Sequence, residues 1–219
     1  IKRQRHQMVK IFHQICETIA YAHANGVIHL DLKPANVMVG NFGAVFVMDW
    51  GIAEEYMEPR ERRFQDDPLL NEQATLTNRP LMGTPAFMAP EQIKQEEKLG
   101  PRTDVYALGG LLYFILTGKA PYSGEIKSIL NRKIKFNPSP PNTEFRNTLD
   151  AAGASGINLS EEVENICMKA LHLDPTQRYP NARAMMDVIS RWLAGEEQTE
   201  KGRMVLNKVH ILKKEQKEI

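Results

Sequence analysis

Val105, Leu108, Leu111, Leu112 and Ile115 follow Thr103-Asp104 in a run that is apolar on nearly every side. A surface helix shows a single apolar stripe, whereas a helix apolar all round must be surrounded by other elements. This one therefore belongs at the centre of a domain. Thr103 is expected to cap its start, and Gly118, with Pro121 behind it, to end it. The run from Tyr106 to Thr117 is too short, and too polar at its edges, to span a bilayer. A length of 219 residues suits one domain with a short appendage, and 42% hydrophobic residues suffice for a core. The 28 basic and 27 acidic residues nearly cancel. That balance gives no footprint for nucleic acid or for an anionic membrane.

Other helices can be read around this centre. Met8, Ile11, Phe12, Ile15 and Ile19 recur at spacings of three and four, which predicts a helix from about Arg5 to His23 ended by Asn25-Gly26. Glu125 to Lys133 is weakly amphipathic. Ser160 is placed to cap a helix carrying Val163, Ile166, Cys167, Ala170 and Leu171, broken by Asp174-Pro175. Asn181 to Leu193 forms the last helix. Residues 137–156 and 54–79, interrupted by Pro and without period, read as loops. The Lys/Glu-rich tail from Glu196 reads as solvated and partly disordered. His6, His13, His23 and His29 share neither a face nor a metal-ligand spacing. Cys16 and Cys167 fall inside helical runs as buried thiols, and no basic-then-apolar leader opens the chain. The expectation is a reducing, cytoplasmic setting.

Between the first helix and the long loop lies the stretch that carries chemistry. Val37-Met38-Val39 and Val45-Phe46-Val47-Met48 are β-branched and apolar, separated by Gly40-Asn41-Phe42-Gly43. They predict a hairpin turned by the two glycines. Its ends bring Asn36 and Asp49 together. Upstream, Asp31, Lys33 and Asn36 lie within Ile28-His29-Leu30-Asp31-Leu32-Lys33-Pro34-Ala35-Asn36, and Asp49 opens Asp49-Trp50-Gly51. In-line phosphoryl transfer needs these parts: a carboxylate to orient and deprotonate the attacking hydroxyl, a cation against phosphate charge, and oxygen ligands for Mg²⁺.

These motifs resemble the catalytic loop and metal-binding tripeptide of protein kinases. Met82-Gly83-Thr84-Pro85-Ala86-Phe87-Met88-Ala89-Pro90-Glu91 resembles the end of the family's activation segment. The resemblance covers roughly Met8 to Leu193 and is to the C-terminal lobe of a bacterial Hanks-type serine/threonine protein kinase. It implies a mainly α-helical fold with a small β-hairpin, a kinase part over residues 1–195 and a charged tail over 196–219. Within that part it implies a catalytic loop at 29–36 and an activation segment at 49–91. It implies ATP and Mg²⁺ as cofactors and a Ser/Thr-bearing protein as partner. Asp31 matches the base, Lys33 the residue that steadies the transferred phosphoryl group, and Asn36 and Asp49 the magnesium ligands. Thr84 matches a threonine that contacts the catalytic loop and favours hydroxyl acceptors. Glu91 and Arg178 match a buried ion pair, Asp104 the anchor of the catalytic-loop backbone, and His29, Trp50 and Gly51 the supporting scaffold.

Three departures stand out. Leu30 replaces the Arg that in most of the family pairs with a phosphate on the activation segment, so activation is expected not to depend on phosphorylation of Thr75 or Thr77. Trp50 replaces Phe as a bulkier plug that should still pack. The N-terminal lobe is missing. At about 5–6 residues per strand, ~11 per helix and ~4–6 per connection, five strands and a helix need more than about sixty residues. Only thirty precede Asp31, and the chain begins with Ile1 rather than Met, as is expected of a fragment or a processed product. Alone, it is expected to bind ATP weakly. Two rival readings are a non-catalytic kinase-like scaffold and a small-molecule phosphotransferase of similar fold.

Overall fold

The computed structural model describes residues 2–56, 84–96, 99–144 and 159–215. Six helices dominate: α1 (Lys2–Ala24), α2 (Pro90–Ile93), α3 (Pro101–Thr117), α4 (Ile126–Lys133), α5 (Glu161–Ala170) and α6 (Ala182–Glu215). Four short strands, β1 (Val27–Ile28), β2 (Val37–Val39), β3 (Val45–Val47) and β4 (Glu54–Glu55), make two antiparallel pairs, β1 with β4 and β2 with β3.

Helix α3 is the centre that its composition demands. Thirteen of its residues are buried, and α1, α5 and α6 all pack on it. Val9, Phe12, Ile15, Cys16 and Ile19 of α1 complete one side, and Val163, Ile166, Cys167 and Ala170 of α5 another. Each such side chain contributes about 1.5–3 kcal/mol when fully withdrawn from water. Gly109 is what lets α3 and α5 lie so close. A Cβ there would sit 2.8 Å from the Ala170 Cβ and 3.0 Å from Leu171 Cγ.

Several sequence expectations shift. Helix α3 begins at Pro101, before Thr103. Proline tolerates the first turn because its missing N–H would be unpaired anyway. Thr103 then sits at the third position, and its Oγ1 accepts the Gly100 N–H at 3.4 Å. Ser160 does occupy the cap of α5, yet its hydroxyl makes no capping bond and instead accepts the Trp192 indole N–H at 3.3 Å. Glu54 and Glu55, expected in a loop, pair with Ile28 and Val27. The tail expected to be partly disordered continues as helix through Glu215. Its Lys/Glu-rich composition favours helix, and Lys10 of α1 holds Glu197 at 2.7 Å, with His6 Nε2 3.8 Å from the same carboxylate. Among the described residues no helix is long and apolar enough to cross a membrane.

Candidate active site

The β2–β3 ladder sets the geometry. Val37 faces Val47, Met38 faces Phe46 and Val39 faces Val45. The Met48 N–H donates to Asn36 O at 2.8 Å and closes the ladder, so Asp49 follows beside Asn36. At the other end Phe42 and Gly43 take left-handed backbone, whereas Gly40 remains extended. The expectation that both glycines supply the turn is therefore corrected.

Asp31 is held by three donors. Lys33 Nζ lies 2.6 Å and Asn36 Nδ2 3.2 Å from Oδ2, and the Thr84 N–H donates to Oδ1 at 3.2 Å. Asn36, almost wholly buried, also donates Nδ2 to the Asp31 carbonyl at 2.8 Å. Its Nδ2 is thus committed, leaving Oδ1 as the amide atom suited to a cation. Asp49 is exposed. From the same end of the hairpin Asn36 and Asp49 offer one neutral and one anionic hard oxygen donor, a set that suits Mg²⁺, which prefers few protein ligands and keeps waters or phosphate oxygens in the rest of its shell.

Behind the site, Asp104 organises the loop from the first turn of α3. Its Oδ1 accepts the Leu30 N–H at 2.9 Å, and its Oδ2 accepts the His29 N–H at 2.8 Å. His23 adds a third donor, Nε2 to Oδ2 at 3.0 Å, while its Nδ1 accepts the Ala182 N–H at 3.2 Å. These partners assign the proton to Nε2. The His29 ring is wholly buried. It accepts the Asp31 N–H at Nδ1 (3.3 Å) and donates Nε2 to Met48 O (3.1 Å), joining the loop to the strand that leads to Asp49. Trp50 packs on it with ring centroids 4.4 Å apart and the rings tilted by 49°, and donates Nε1 to Val47 O at 3.1 Å, yet remains 36% exposed. It is less of a plug than its size suggests. Gly51 lies in the turn that follows, where the Ala53 N–H donates to Trp50 O.

Leu30 (φ 68°) and Asp49 (φ 63°) have left-handed backbone, which for a leucine is uncommon. Strain of this kind costs about 1–3 kcal/mol and persists where surroundings enforce it. At Leu30 the enforcement is visible: Asp104 takes its N–H, and Gln92 Nε2 donates to its carbonyl at 2.9 Å. Gln92 Oε1 also accepts the Ala89 N–H at 2.9 Å. One neutral side chain thereby ties the catalytic loop to the start of α2. Glu91 and Arg178, both buried, form a two-pronged pair at 2.7 and 3.0 Å, and Arg178 also donates to the carbonyls of Arg102, His172 and Leu173. Met82, Gly83, Thr75 and Thr77 lie outside the described residues.

Sequence reading missed His23 and Gln92. A Gln at the third helical position is half of a capping box and could have flagged Gln92. Nothing local distinguishes His23 from a surface histidine.

An acid on a loop, a lysine two residues on, and an Asn and an Asp joined across a ladder make a site of the phosphotransferase class. The family model described as Protein kinase domain matches residues 2–190, and the chain belongs to that family. It is 32% identical over 196 residues to the serine/threonine-protein kinase PknD of Chlamydia felis (strain Fe/C-56), covering 85% of this chain and 19% of that protein. It is 34% identical over 195 residues to PknD of Chlamydia muridarum (strain MoPn / Nigg), covering 85% and 20%. Against the serine/threonine-protein kinase PknB of Mycobacterium leprae (strain TN) the identity is 31% over 191 residues, covering 87% and 27%. The matched region thus makes up about a fifth to a quarter of the length of these curated relatives. The likeness is to bacterial kinases of the Hanks type. In general that family uses ATP and Mg²⁺ and acts on protein.

Proposed function

We propose that this chain is the C-terminal-lobe part of a serine/threonine protein kinase, transferring the ATP γ-phosphoryl group to a Ser or Thr hydroxyl of a protein. Residues 1–195 form the kinase part and 196–219 a charged extension. The observation that carries the reading is the grip on Asp31. Thr84, Lys33 and Asn36 hold its carboxylate beside the Asn36–Asp49 pair. A carboxylate so oriented can accept the proton of an acceptor hydroxyl, a step worth about 10²–10⁴ in rate. Lys33 can swing from Asp31 to the transferred phosphoryl group, and Asn36 and Asp49 hold magnesium. The bound metal supplies charge neutralisation on the phosphates. Thr84 reports the acceptor side of the site through its contact with Asp31.

The lobe assignment draws on the outer face of the hairpin. Met38, Phe46 and Met48 are exposed there beside the site, and Phe42 is fully exposed at the turn. Clustered apolar surface next to a polar site needs a cover. A nucleotide base on Met38 and Phe46, roofed by a second lobe, would supply one, so the chain alone should bind ATP weakly. The buried free thiols of Cys16 and Cys167 suit a reducing, cytoplasmic setting.

Incubating the full-length protein with labelled ATP, Mg²⁺ and a protein mixture tests the reading. Label is expected on protein Ser or Thr, reduced about 10²–10⁴-fold by Asp31→Asn. Label only on a small molecule would favour the phosphotransferase reading. No transfer with the fold intact would favour the scaffold.

A further inference from the structure

Lys133 closes α4 and is fully buried, unusual for a residue that nearly always keeps its charged end in water. Its surroundings are specific. Nζ donates to Ala86 O at 2.8 Å and Pro85 O at 3.1 Å. Below it lie the rings of Tyr106 (5.1 Å) and Tyr122 (5.3 Å), within range of a cation–π contact. Among the described residues no carboxylate bonds to it. The nearest influential one, Glu91, is already spent on Arg178.

A buried cation without an ion-pair partner is costly. An apolar side chain of similar length would fill the same space at lower cost. Burial lowers the amine to about 7, with Glu91 opposing the shift and Arg178 adding to it. Arg132 lies farther off, on the Tyr122 ring. What the lysine obtains is a hold on the strap 84–88. That strap folds on itself through the Phe87 and Met88 N–H groups donated to Thr84 O, and its first N–H donates to Asp31 Oδ1. Lys133 grips the two carbonyls between those bonds.

We propose that Lys133 is a positioning residue for the acceptor hydroxyl, fixing the strap that sets Thr84 against Asp31. This rests on the kinase reading for its consequence, though not for the contact itself. The mechanism acts on acceptor binding and leaves the nucleotide side untouched, because no bond from Lys133 reaches Lys33, Asn36 or Asp49.

The test uses the full-length protein with Lys133→Met, which keeps the packing and removes the donors, and Lys133→Arg, which keeps donors and charge. Amide hydrogen exchange at Phe87 and Met88 should quicken at least tenfold in the Met variant, with the body of the protein as protected as before. In steady-state assays the Met variant should raise the acceptor KM about tenfold with the ATP KM within twofold, and the Arg variant should recover most of it. Unchanged exchange would overturn the strap contact. Faster exchange with an unchanged acceptor KM would overturn the positioning role while leaving the kinase reading intact. Absence of transfer in the unmutated protein would sink the kinase reading and the acceptor role together, with exchange still deciding the contact.

Discussion

The hairpin and the helical body are built on opposite terms. Around α3 almost every apolar side chain is enclosed, and the buried charges Glu91 and Arg178 answer each other within the chain. On the hairpin, Met38, Phe46 and Met48 face outward, and Phe42 at the turn is fully exposed. The candidate active site lies on the border. Its backbone is fixed by Asp104 from the body, while Asn36 and Asp49 flank the paired end of the hairpin, the first buried and the second exposed. The difference separates an enclosed body, which supplies rigidity, from a ladder whose exposed apolar face, on the proposed reading, is where a nucleotide and a second lobe would pack.

The largest effect is expected at the buried ion pair of the body. Glu91→Ala leaves Arg178 charged and buried, and should cost about 3–5 kcal/mol in chemical denaturation. A cost below about 1 kcal/mol would mean that the body is not sealed there. Paired aromatic truncations sharpen the contrast. Phe12→Ala, in the enclosed core, should cost about 3–5 kcal/mol. Phe46→Ala, half exposed, should cost under about 1 kcal/mol in the isolated chain, since most of its surface is already in water. Similar losses at the two positions would erase the distinction.

The smallest effect is read from pH. Lys133 is held near 7, against about 10.5 when unfolded. Between those values the unfolded chain binds the extra proton, so stability should rise as pH is raised from about 7 towards 10, by at most ~1.4 kcal/mol per unit. Below pH 7 both states are protonated and this contribution is flat. Comparing denaturation midpoints of the unmutated chain and Lys133→Met over this range checks the sign. The rise attributable to Lys133 should vanish in the variant.

Local pattern made the body and the hairpin legible. An apolar run with no polar face had to be central, and two β-branched runs separated by five residues had to pair, which brings Asn36 and Asp49 to the same end of the hairpin. Roles for Glu91, Arg178 and Asp104 came from family likeness, because their partners lie 74–87 residues away in sequence. Residues outside those motifs stayed hidden for the same reason. Lys133 reaches its carbonyls across 47–48 residues, and His23 joins elements up to 159 residues apart. Strands of two residues, such as β1 and β4, are too short to show alternation. The tail misled because charge was read as disorder, when Lys and Glu are also good helix formers and α1 gives the first turn of the tail a partner.

On the proposed reading Asn36 and Asp49 together hold magnesium for a nucleotide beside Asp31. Calorimetric titration of the full-length protein with ATP, with and without Mg²⁺, tests it most directly when repeated on Asp49→Ala. Mg²⁺ is expected to strengthen ATP binding in the unmutated protein, and the substitution to abolish this gain. An equal gain from Mg²⁺ in both proteins would contradict it.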